Sequence, residues 1–540
     1  MVAPTAAELL GAGGEEAASR SAGPQETPPR VRVVANQPWT NYQGNVTEGS
    51  VEKQFFFDGG SPEDWRGGVT AAAWVVKQAE SDGKSLRSVG SAWSSSPVSQ
   101  TPMYLLHNGG LSGPGPVIDA SDLAPGVDAS LISHLQAGTI IQTVNELLEA
   151  NGQSLKVMGG NAGQNIAGAA ATGTHGSWID RRALADSVHA IALVGAGGRA
   201  YWVEPASRPL TREGFSAWGL FEVVRDDALF AAAQVSVGAL GVVTSVVLDV
   251  DPAKWVDFTR VQRELDAPLR QAIYTLDLSG LGFPKRPDHF EVVLNPYLLG
   301  AGQKGAFMET GYIVPPGSSG VARTELPQQK EIAAHFDVSD ALWGFVAKLL
   351  SEHPWLVPPI LDLVLPRVFP SETRLGPMSQ VWNLSTGGPP LISTEFAVAQ
   401  ADVERTLDLL FRMLEDAKPG FYWPGVFGIR FGKQTGATLG FTRFDRWCTM
   451  ELIYLRGVAG VEGFLQRFYA AMRAGGIEVG VHWGQVNFLT AQEVASDYGS
   501  AALAAWESAR ARVGAEGSVF ANDATNAWGL TTPRLSRSQT

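Results

Sequence analysis

Apolar positions along the chain alternate between strand-like and helix-like spacing, and the two patterns are interleaved throughout. Helical spacing predicts helices over residues 69–79, 139–150, 403–415 and 461–474. Short alternating or apolar runs predict strands at 86–89, 117–119, 188–194, 200–203, 246–250, 290–294, 394–398, 425–431 and 449–455. The proline-rich stretch 354–370 predicts surface loops or a lid. Short strands mixed with helices predict an α+β fold.

Length and charge narrow the possible partners. A chain of 540 residues exceeds one ordinary domain, so we expect two or three. The net charge is -13 and no Lys/Arg run stands out, which argues against nucleic acid or an anionic membrane as a partner of the whole surface. The apolar runs end well before the roughly 20 residues of a membrane span, so none is expected. Residues 1–30 predict a disordered tail without the features of a secretory signal.

The single cysteine, Cys448, excludes an intrachain disulfide and argues against a cysteine-based metal site. A chain with one thiol fits a reducing, cytoplasmic location. We expect no metal.

The most informative segment is 159–177, GGNAGQNIAGAAATGTHGS. Its glycines and alanines let the backbone come close to a ligand. Its polar end adds free N–H groups, which form a concavity suited to an anion. Close helix packing would also use small residues, but it does not require the Thr-Gly-Thr-His-Gly-Ser ending. The pattern favours a ligand-binding loop.

Four blocks in this order resemble the flavin-dependent oxidases of the vanillyl-alcohol oxidase type, which share a PCMH-type FAD-binding domain. Within them, the chain is most similar to the aldonolactone and alditol oxidase branch, with cholesterol-oxidase-like members nearby. The blocks are LRSVGSAWSS at 86–95, the segment 159–177, VGALGVVT at 237–244 and HWG at 482–484. Tyr498 and VFAN at 519–522 resemble the family's closing segment. No G-x-G-x-x-G follows an early strand, so a dinucleotide-binding Rossmann fold has little support.

The resemblance implies FAD, with an FAD-binding domain over 31–250, a substrate or cap domain over 251–497 and a C-terminal return over 498–530. Backbone N–H groups of the first two blocks would hold the pyrophosphate and the third block would line the flavin ring. The residues expected at the cofactor are Gly90, Ser91, Ala92, Trp93, Ser94, Ser95, Gly160, Asn161, Gln164, Asn165, Gly168, Ala169, Thr172, Gly173, Thr174, His175, Gly176, Ser177, Gly241, Val242, Val243, Thr244 and Asn522.

Three positions depart from the family pattern. Many relatives bind FAD covalently through a His in the first loop, where this chain has Trp93, so a non-covalent flavin is expected. A family Glu-x-Arg motif is matched by Gly428-Ile429-Arg430, which keeps the Arg and loses the Glu. Gln485 replaces the Lys of a His-Trp-Gly-Lys stretch. Fewer charges put small polyols in doubt and favour a larger, less polar alcohol, with aromatic residues 421–427 lining the site or forming core.

The resemblance makes Arg430, Gln485, His482 and Glu451 the catalytic candidates. Arg430 would stabilise negative charge beside the flavin. Glu451 is either a general base or an outward-facing strand carboxylate, and His482 serves either the pocket or packing. His175 is expected to orient the loop or the flavin, and Glu395 to be structural.

The implied reaction is oxidation of a CH–OH group of an alcohol or lactone-type substrate, with hydride transfer to flavin N5 and oxygen as acceptor. Two enzyme alternatives remain open, an oxygen-independent dehydrogenase and an oxidative cyclising enzyme of secondary metabolism. A flavin-binding module without turnover is the non-catalytic alternative.

Overall fold

The computed structural model describes residues 30–57, 64–318, 340–382, 390–517 and 519–532. The predicted N-terminal tail, apart from residue 30 itself, lies outside the described residues. Sheets and helices are mixed along the described chain, so the predicted α+β class is confirmed.

The first sheet has four strands in the order β1-β2-β4-β3. They are β1 (Val31–Thr40), β2 (Thr47–Phe57), β3 (Leu86–Val89) and β4 (Tyr104–His107). Helix α1 (Trp65–Ser81) buries the apolar face that the spacing predicted, including Ala72, Val75 and Val76. The predicted strand at 117–119 is wrong, because Val117 is 80% exposed and the segment pairs with no strand among the described residues.

The second sheet has the order β5-β10-β7-β8-β9, and β6 pairs with β11 beside it. These strands are β5 (Ile132–Gln136), β6 (Gln153–Ser154), β7 (Val188–Val194), β8 (Ala200–Glu204), β9 (Glu222–Arg225), β10 (Val242–Asp249) and β11 (Asp251–Pro252). Helices α2 (Ile141–Ala150), α3 (Ile166–Thr172) and α4 (Asp227–Gln234) lie in the same part of the chain.

The third sheet has eight strands in the order β15-β12-β14-β13-β17-β18-β16-β19. Its strands are β12 (Trp255–Arg263), β13 (His289–Leu294), β14 (Ala306–Val314), β15 (Glu372–Pro377), β16 (Leu391–Ala399), β17 (Gly425–Lys433), β18 (Arg446–Leu455) and β19 (Gly480–Val481). The remaining helices are α5 (Ala267–Thr275), α6 (Asp340–Glu352), α7 (Val357–Val368), α8 (Met378–Val381), α9 (Val403–Ala417), α10 (Val461–Ala474), α11 (Ala491–Arg512) and α12 (Asp523–Ala527).

The two faces of this eight-stranded sheet have different environments. On one face Phe427 contacts Phe411 of α9, and Phe396 contacts Phe468 of α10. Side chains alternate between the faces of a strand, so Arg430 lies on the face opposite Phe427. That second face is turned toward the segment 159–177, because His175 reaches Glu395 on it.

Most of the proline-rich stretch is helical, which corrects the predicted surface loops, while the predicted lid stays a prediction. Helix α7 begins at Val357, and its Pro358 and Pro359 occupy the first turn, where no intrahelical N–H bond is lost. Pro366 lies inside the helix, two residues before its end. None of the helices in the described part of the chain is long and apolar enough to cross a membrane.

The C-terminal segment returns to the first sheet. The N–H of Leu86 donates to the carbonyl of Val519 at 2.6 Å. The side-chain amide of Asn522 donates to three carbonyls of residues 97–100. These contacts agree with a C-terminal return, while the domain boundaries at 250 and 497 stay predictions.

Candidate active site

A buried His–Glu pair joins the segment 159–177 to the eight-stranded sheet. His175 Nε2 lies 3.0 Å from Glu395 Oε1, and Nδ1 lies 2.9 Å from the carbonyl of Gly176. Both ring nitrogens face acceptors, so the geometry suits a protonated imidazolium. Burial lowers the pKa of His175, but the Glu395 carboxylate outweighs it and the net shift is upward. Burial opposes ionisation of Glu395, yet the charges of His175 and Arg430 hold its pKa well below the usual range.

Arg430 stands among three carboxylates on the same sheet face. Its Nε lies 2.9 Å from Glu291 Oε1, and its Nη1 lies 2.6 Å from Glu451 Oε2 and 3.4 Å from Glu395 Oε1. Glu291 and Arg430 are register partners on β13 and β17, and Glu395 and Glu451 are partners on β16 and β18. Burial opposes the charge of Arg430, but the three carboxylates raise its pKa well above the ordinary value.

Gln485 connects two of these carboxylates. Its Nε2 donates to Glu395 Oε2 at 3.1 Å and to Glu451 Oε1 at 3.2 Å. Ser393 Oγ donates to Glu451 Oε1 at 2.8 Å. Glu451 therefore accepts hydrogen bonds from Arg430, Gln485 and Ser393. The alternative of an outward-facing strand carboxylate does not fit these contacts.

His482 is buried beside this group in a different protonation state. Its Nδ1 accepts from the N–H of Gly484 at 3.0 Å, which leaves the proton of the neutral ring on Nε2. Burial lowers the pKa of His482 to about 4. His482 is therefore a neutral hydrogen-bond donor at physiological pH rather than a base.

The expectation of a site with few charges is wrong. Although this chain lacks the Glu and the Lys of the family motifs, other strands of the sheet bring charged residues to Arg430. Glu291 supplies a carboxylate beside Arg430, and Glu395, expected to be structural only, supplies another. Of the aromatic residues proposed as an alternative lining, Trp423 and Phe427 belong to the core on the opposite side of the sheet, and Phe421 and Tyr422 are half-buried against it.

The first loop contacts both the segment 159–177 and the HWG block. The N–H of Ser91 donates to the side chain of Asn165, and Ser91 Oγ donates to the carbonyl of Gly163 at 2.7 Å. The N–H of Ser95 donates to the carbonyl of Gly484 at 2.8 Å. The third block joins them, because the N–H of Val237 donates to the carbonyl of Ala171 at 3.0 Å and Arg87 of the first block donates to the carbonyls of Val237 and Gly238. All four predicted blocks therefore meet.

Trp93 packs within this loop. Its ring stacks on Tyr42 with centroids 4.4 Å apart and an angle of 8°. It also lies directly against Gly163, where a β-carbon would collide with it. Stacking and packing account for the side chain.

The open backbone of the segment 159–177 and the buried oxygens named below fit FAD. A β-carbon added at Gly160 or Gly168 would meet no atom within 4 Å, so the backbone there faces open space. Buried oxygens of Gln164, Gln485 and Thr449 have no hydrogen-bond partner among the described residues. Acceptors of this kind can take hydrogen bonds from a ligand, and open backbone can approach a phosphate closely.

Other residues expected at the cofactor are engaged with protein. Ser177 Oγ donates to the carbonyl of Phe290 and accepts from the N–H of Phe431 at 3.1 Å. Thr244 Oγ1 donates to the carbonyl of Ala192 at 3.2 Å. A β-carbon at Gly241 would strike the carbonyl of Val194, so this glycine permits close approach of two strands.

The remaining residues expected at the cofactor differ in their exposure to solvent. Gly90, Ala92, Ser94, Thr172, Thr174 and Val243 are partly exposed, Asn161 is exposed, and Ala169, Gly176 and Val242 are buried. Gly173 ends α3 with a φ of 91°. The cofactor contacts of the whole set stay predictions.

Glu291 and Ser393 belong to the site but were not found from the sequence. Glu291 had a usable signal, since it is the one charged side chain inside the apolar run FEVVL at 290–294. A buried acid in such a strand requires a partner. Ser393 carried no such signal.

Comparisons with known proteins give relatives over part of the chain. L-gulono-1,4-lactone dehydrogenase of Mycobacterium tuberculosis is 29% identical over 223 residues, 41% of this chain and 43% of the relative. D-arabinono-1,4-lactone oxidase of Yarrowia lipolytica is 26% identical over a region that covers 34% of this chain and 31% of the relative. Alditol oxidase of a Streptomyces species is 34% identical over a region that covers 20% of this chain and 21% of the relative. The chain thus spans less than half of each relative, and no protein-family profile matches it.

Solved structures give a match over nearly the whole chain. Cholesterol oxidase from Brevibacterium sterolicum superposes with a TM-score of 0.69 at 14% identity, covering 95% of this chain and 100% of that one. A solvent-stable cholesterol oxidase superposes with a TM-score of 0.68 at 16% identity, covering 94% of this chain and 100% of that one. The fold is that of these enzymes. With the sequence relatives, it confirms the resemblance stated from the sequence.

Proposed function

We propose that this protein is an FAD-dependent oxidoreductase that oxidises the CH–OH group of an alcohol or lactone-type substrate. The observation that carries the proposal is the group formed by Arg430, Gln485, Glu395, Glu451 and His175, which lies on the sheet face turned toward the segment 159–177. The named relatives are oxidases and a dehydrogenase, which supports this class.

The residues that would hold FAD are the backbones of 90–95 and 172–177, with the open backbone at Gly160 and Gly168 beside them. When bound, the flavin supplies the hydride acceptor. No His lies in the first loop, and Trp93 is committed to stacking on Tyr42, so the flavin is held without a covalent bond.

Arg430 provides a fixed positive charge, and His482 Nε2–H provides a donor for the substrate oxygen. Of the three carboxylates around Arg430, Glu291 is best suited to receive the hydroxyl proton. Its Oε2 accepts no hydrogen bond among the described residues, and His289 Nε2 lies 3.8 Å from it. Burial raises the pKa of Glu291 to about 7, although Arg430 opposes the shift. A base is most effective when its pKa lies near the working pH.

Oxygen is the proposed electron acceptor. Because the mycobacterial relative is named a dehydrogenase, reoxidation is followed by stopped flow with and without oxygen. Slow reoxidation by oxygen beside fast reoxidation by an artificial acceptor would favour the dehydrogenase alternative.

The functional test is anaerobic flavin reduction by a panel of alcohols and lactones. With a reducing compound in hand, Arg430→Ala should reduce the flavin about 100-fold more slowly, the typical cost of a lost preorganised charge. Gln485→Ala should cost less, because a neutral amide forms a weaker hydrogen bond. A flavin that no compound class reduces would support a binding module without turnover.

A further inference from the structure

A row of charged side chains crosses five neighbouring strands of the eight-stranded sheet at one register. In spatial order these are Glu372, Arg260, Glu309, Glu291 and Arg430. Register partners point to the same face of a sheet, so each side chain adjoins the next. Four of the five are at most 11% exposed and Arg430 is 18% exposed, so water screens them weakly.

The charges alternate along this row except at one step, where Glu309 faces Glu291. Glu309 is held in a buried ion pair with Arg260, whose Nε lies 2.6 Å from its Oε1. Arg260 Nη1 also lies 2.6 Å from Glu372 Oε1. Like charges directly opposite each other repel. The conflict must therefore be relieved at Glu291.

The surroundings of Glu291 cannot supply a full counter-charge. Arg430 from β17 shares its one positive charge with Glu451 and Glu395. Arg260 from β12 is committed to two other carboxylates. On β13 itself, burial lowers the pKa of His289 to about 3, so this ring is neutral.

We propose that Glu309 is a positioning residue. Its negative charge places the exchangeable proton of the three carboxylates around Arg430 on Glu291 rather than on Glu451 or Glu395. The catalytic meaning of this placement rests on the proposed function, since it makes Glu291 basic enough to receive the substrate's proton. The pKa of Glu291 is in accord, raised to about 7 by burial first and by Glu309 and Glu451 next, with Arg430 opposing.

The test compares Glu309→Gln with Glu372→Gln. Each change removes one carboxylate from Arg260 and keeps the side-chain shape, but only Glu309 faces Glu291. The readout is the infrared carbonyl band of protonated Glu291, titrated with pH in the resting holoenzyme and assigned by its loss in Glu291→Gln.

We expect Glu309→Gln to lower the midpoint of the Glu291 band by about one pH unit or more, about tenfold in proton affinity. Glu372→Gln should move it much less. Glu309→Asp keeps the charge and should leave the midpoint near that of the wild type, so a lower midpoint in Glu309→Gln reports the lost charge. If the Gln variant fails to fold, Glu309→Ala removes the same charge and should lower the midpoint likewise. Equal shifts in the two Gln variants, or a shift in Glu309→Asp as large as one unit, would overturn the proposal.

No substrate is needed for this titration. Failure of the proposed function would appear as a flavin that no alcohol reduces, whatever the titration shows. Failure of the role proposed for Glu309 would appear as a Glu291 midpoint that Glu309→Gln leaves unmoved, whether or not the enzyme turns over.

Discussion

Replacing Arg430 with alanine should destabilise the protein in a pH-dependent way. The change removes ion-pair contacts of 2.9 Å to Glu291, 2.6 Å to Glu451 and 3.4 Å to Glu395. Glu395 keeps His175, and Glu451 keeps Ser393. Glu291 loses the ion-pair partner that lies within hydrogen-bond distance of its carboxylate. Removing one partner of a buried ion pair typically costs about 3–5 kcal/mol, so we expect about 3 kcal/mol at pH 8.

The sign of the pH dependence follows from the carboxyl groups. Burial raises the pKa of Glu291 to about 7 in the wild type, and loss of Arg430, which opposes that shift, raises it further. Between the wild-type and variant values the folded variant binds more protons than the folded wild type, so its deficit shrinks as the pH falls through that range. The slope is about 1.4 kcal/mol per pH unit for each group that takes up a proton.

Urea unfolding followed by tryptophan fluorescence at pH 8 and pH 5.5 measures this deficit. Arg430→Lys is the matched control, because it keeps the charge and loses the planar three-way contact, and it should lose less stability than the alanine variant. A deficit for Arg430→Ala under about 1 kcal/mol that is equal at the two pH values would refute the claim that this guanidinium neutralises the carboxylates.

Three further outcomes are expected. Acid precipitation should leave the yellow colour in the supernatant, because Trp93 replaces the linking His, and a yellow pellet would contradict a non-covalent flavin. Gly173→Val should abolish flavin loading in a folded but weakened protein, because Gly173 has a φ of 91° and a β-carbon there would lie 3.0 Å from Phe441; full occupancy by absorbance would disprove it. Glu395→Gln should cost about 3 kcal/mol near pH 6 and less as the pH rises, because Glu395 raises the pKa of His175 and the stabilisation from this pair is lost once His175 gives up its proton. A cost in urea unfolding that grows with pH would contradict this prediction.

The sequence by itself determined many of the helices and strands and singled out the segment 159–177. The apolar spacing of 461–474 matches the bounds of α10, because a helix periodicity is a local property. The segment 159–177 was informative for the same reason, since its small residues and polar end are contiguous in the chain. The strand expected at 117–119 and the loop expected at 354–370 failed where tertiary contacts decided between similar local patterns.

The charge arrangement of the site was decided by the tertiary structure alone. Glu291, Arg430, Glu451 and Glu395 come from four strands, and the cross-strand register makes them neighbours. A shift of one residue in any of these strands would turn its acid or its Arg to the opposite face. Periodicity within a strand shows which side chains share a face but not which strand lies beside it. For that reason the sequence could show that a Glu was missing from the Glu-x-Arg motif, and only the folded sheet could show that Glu291 brings a carboxylate to the same Arg.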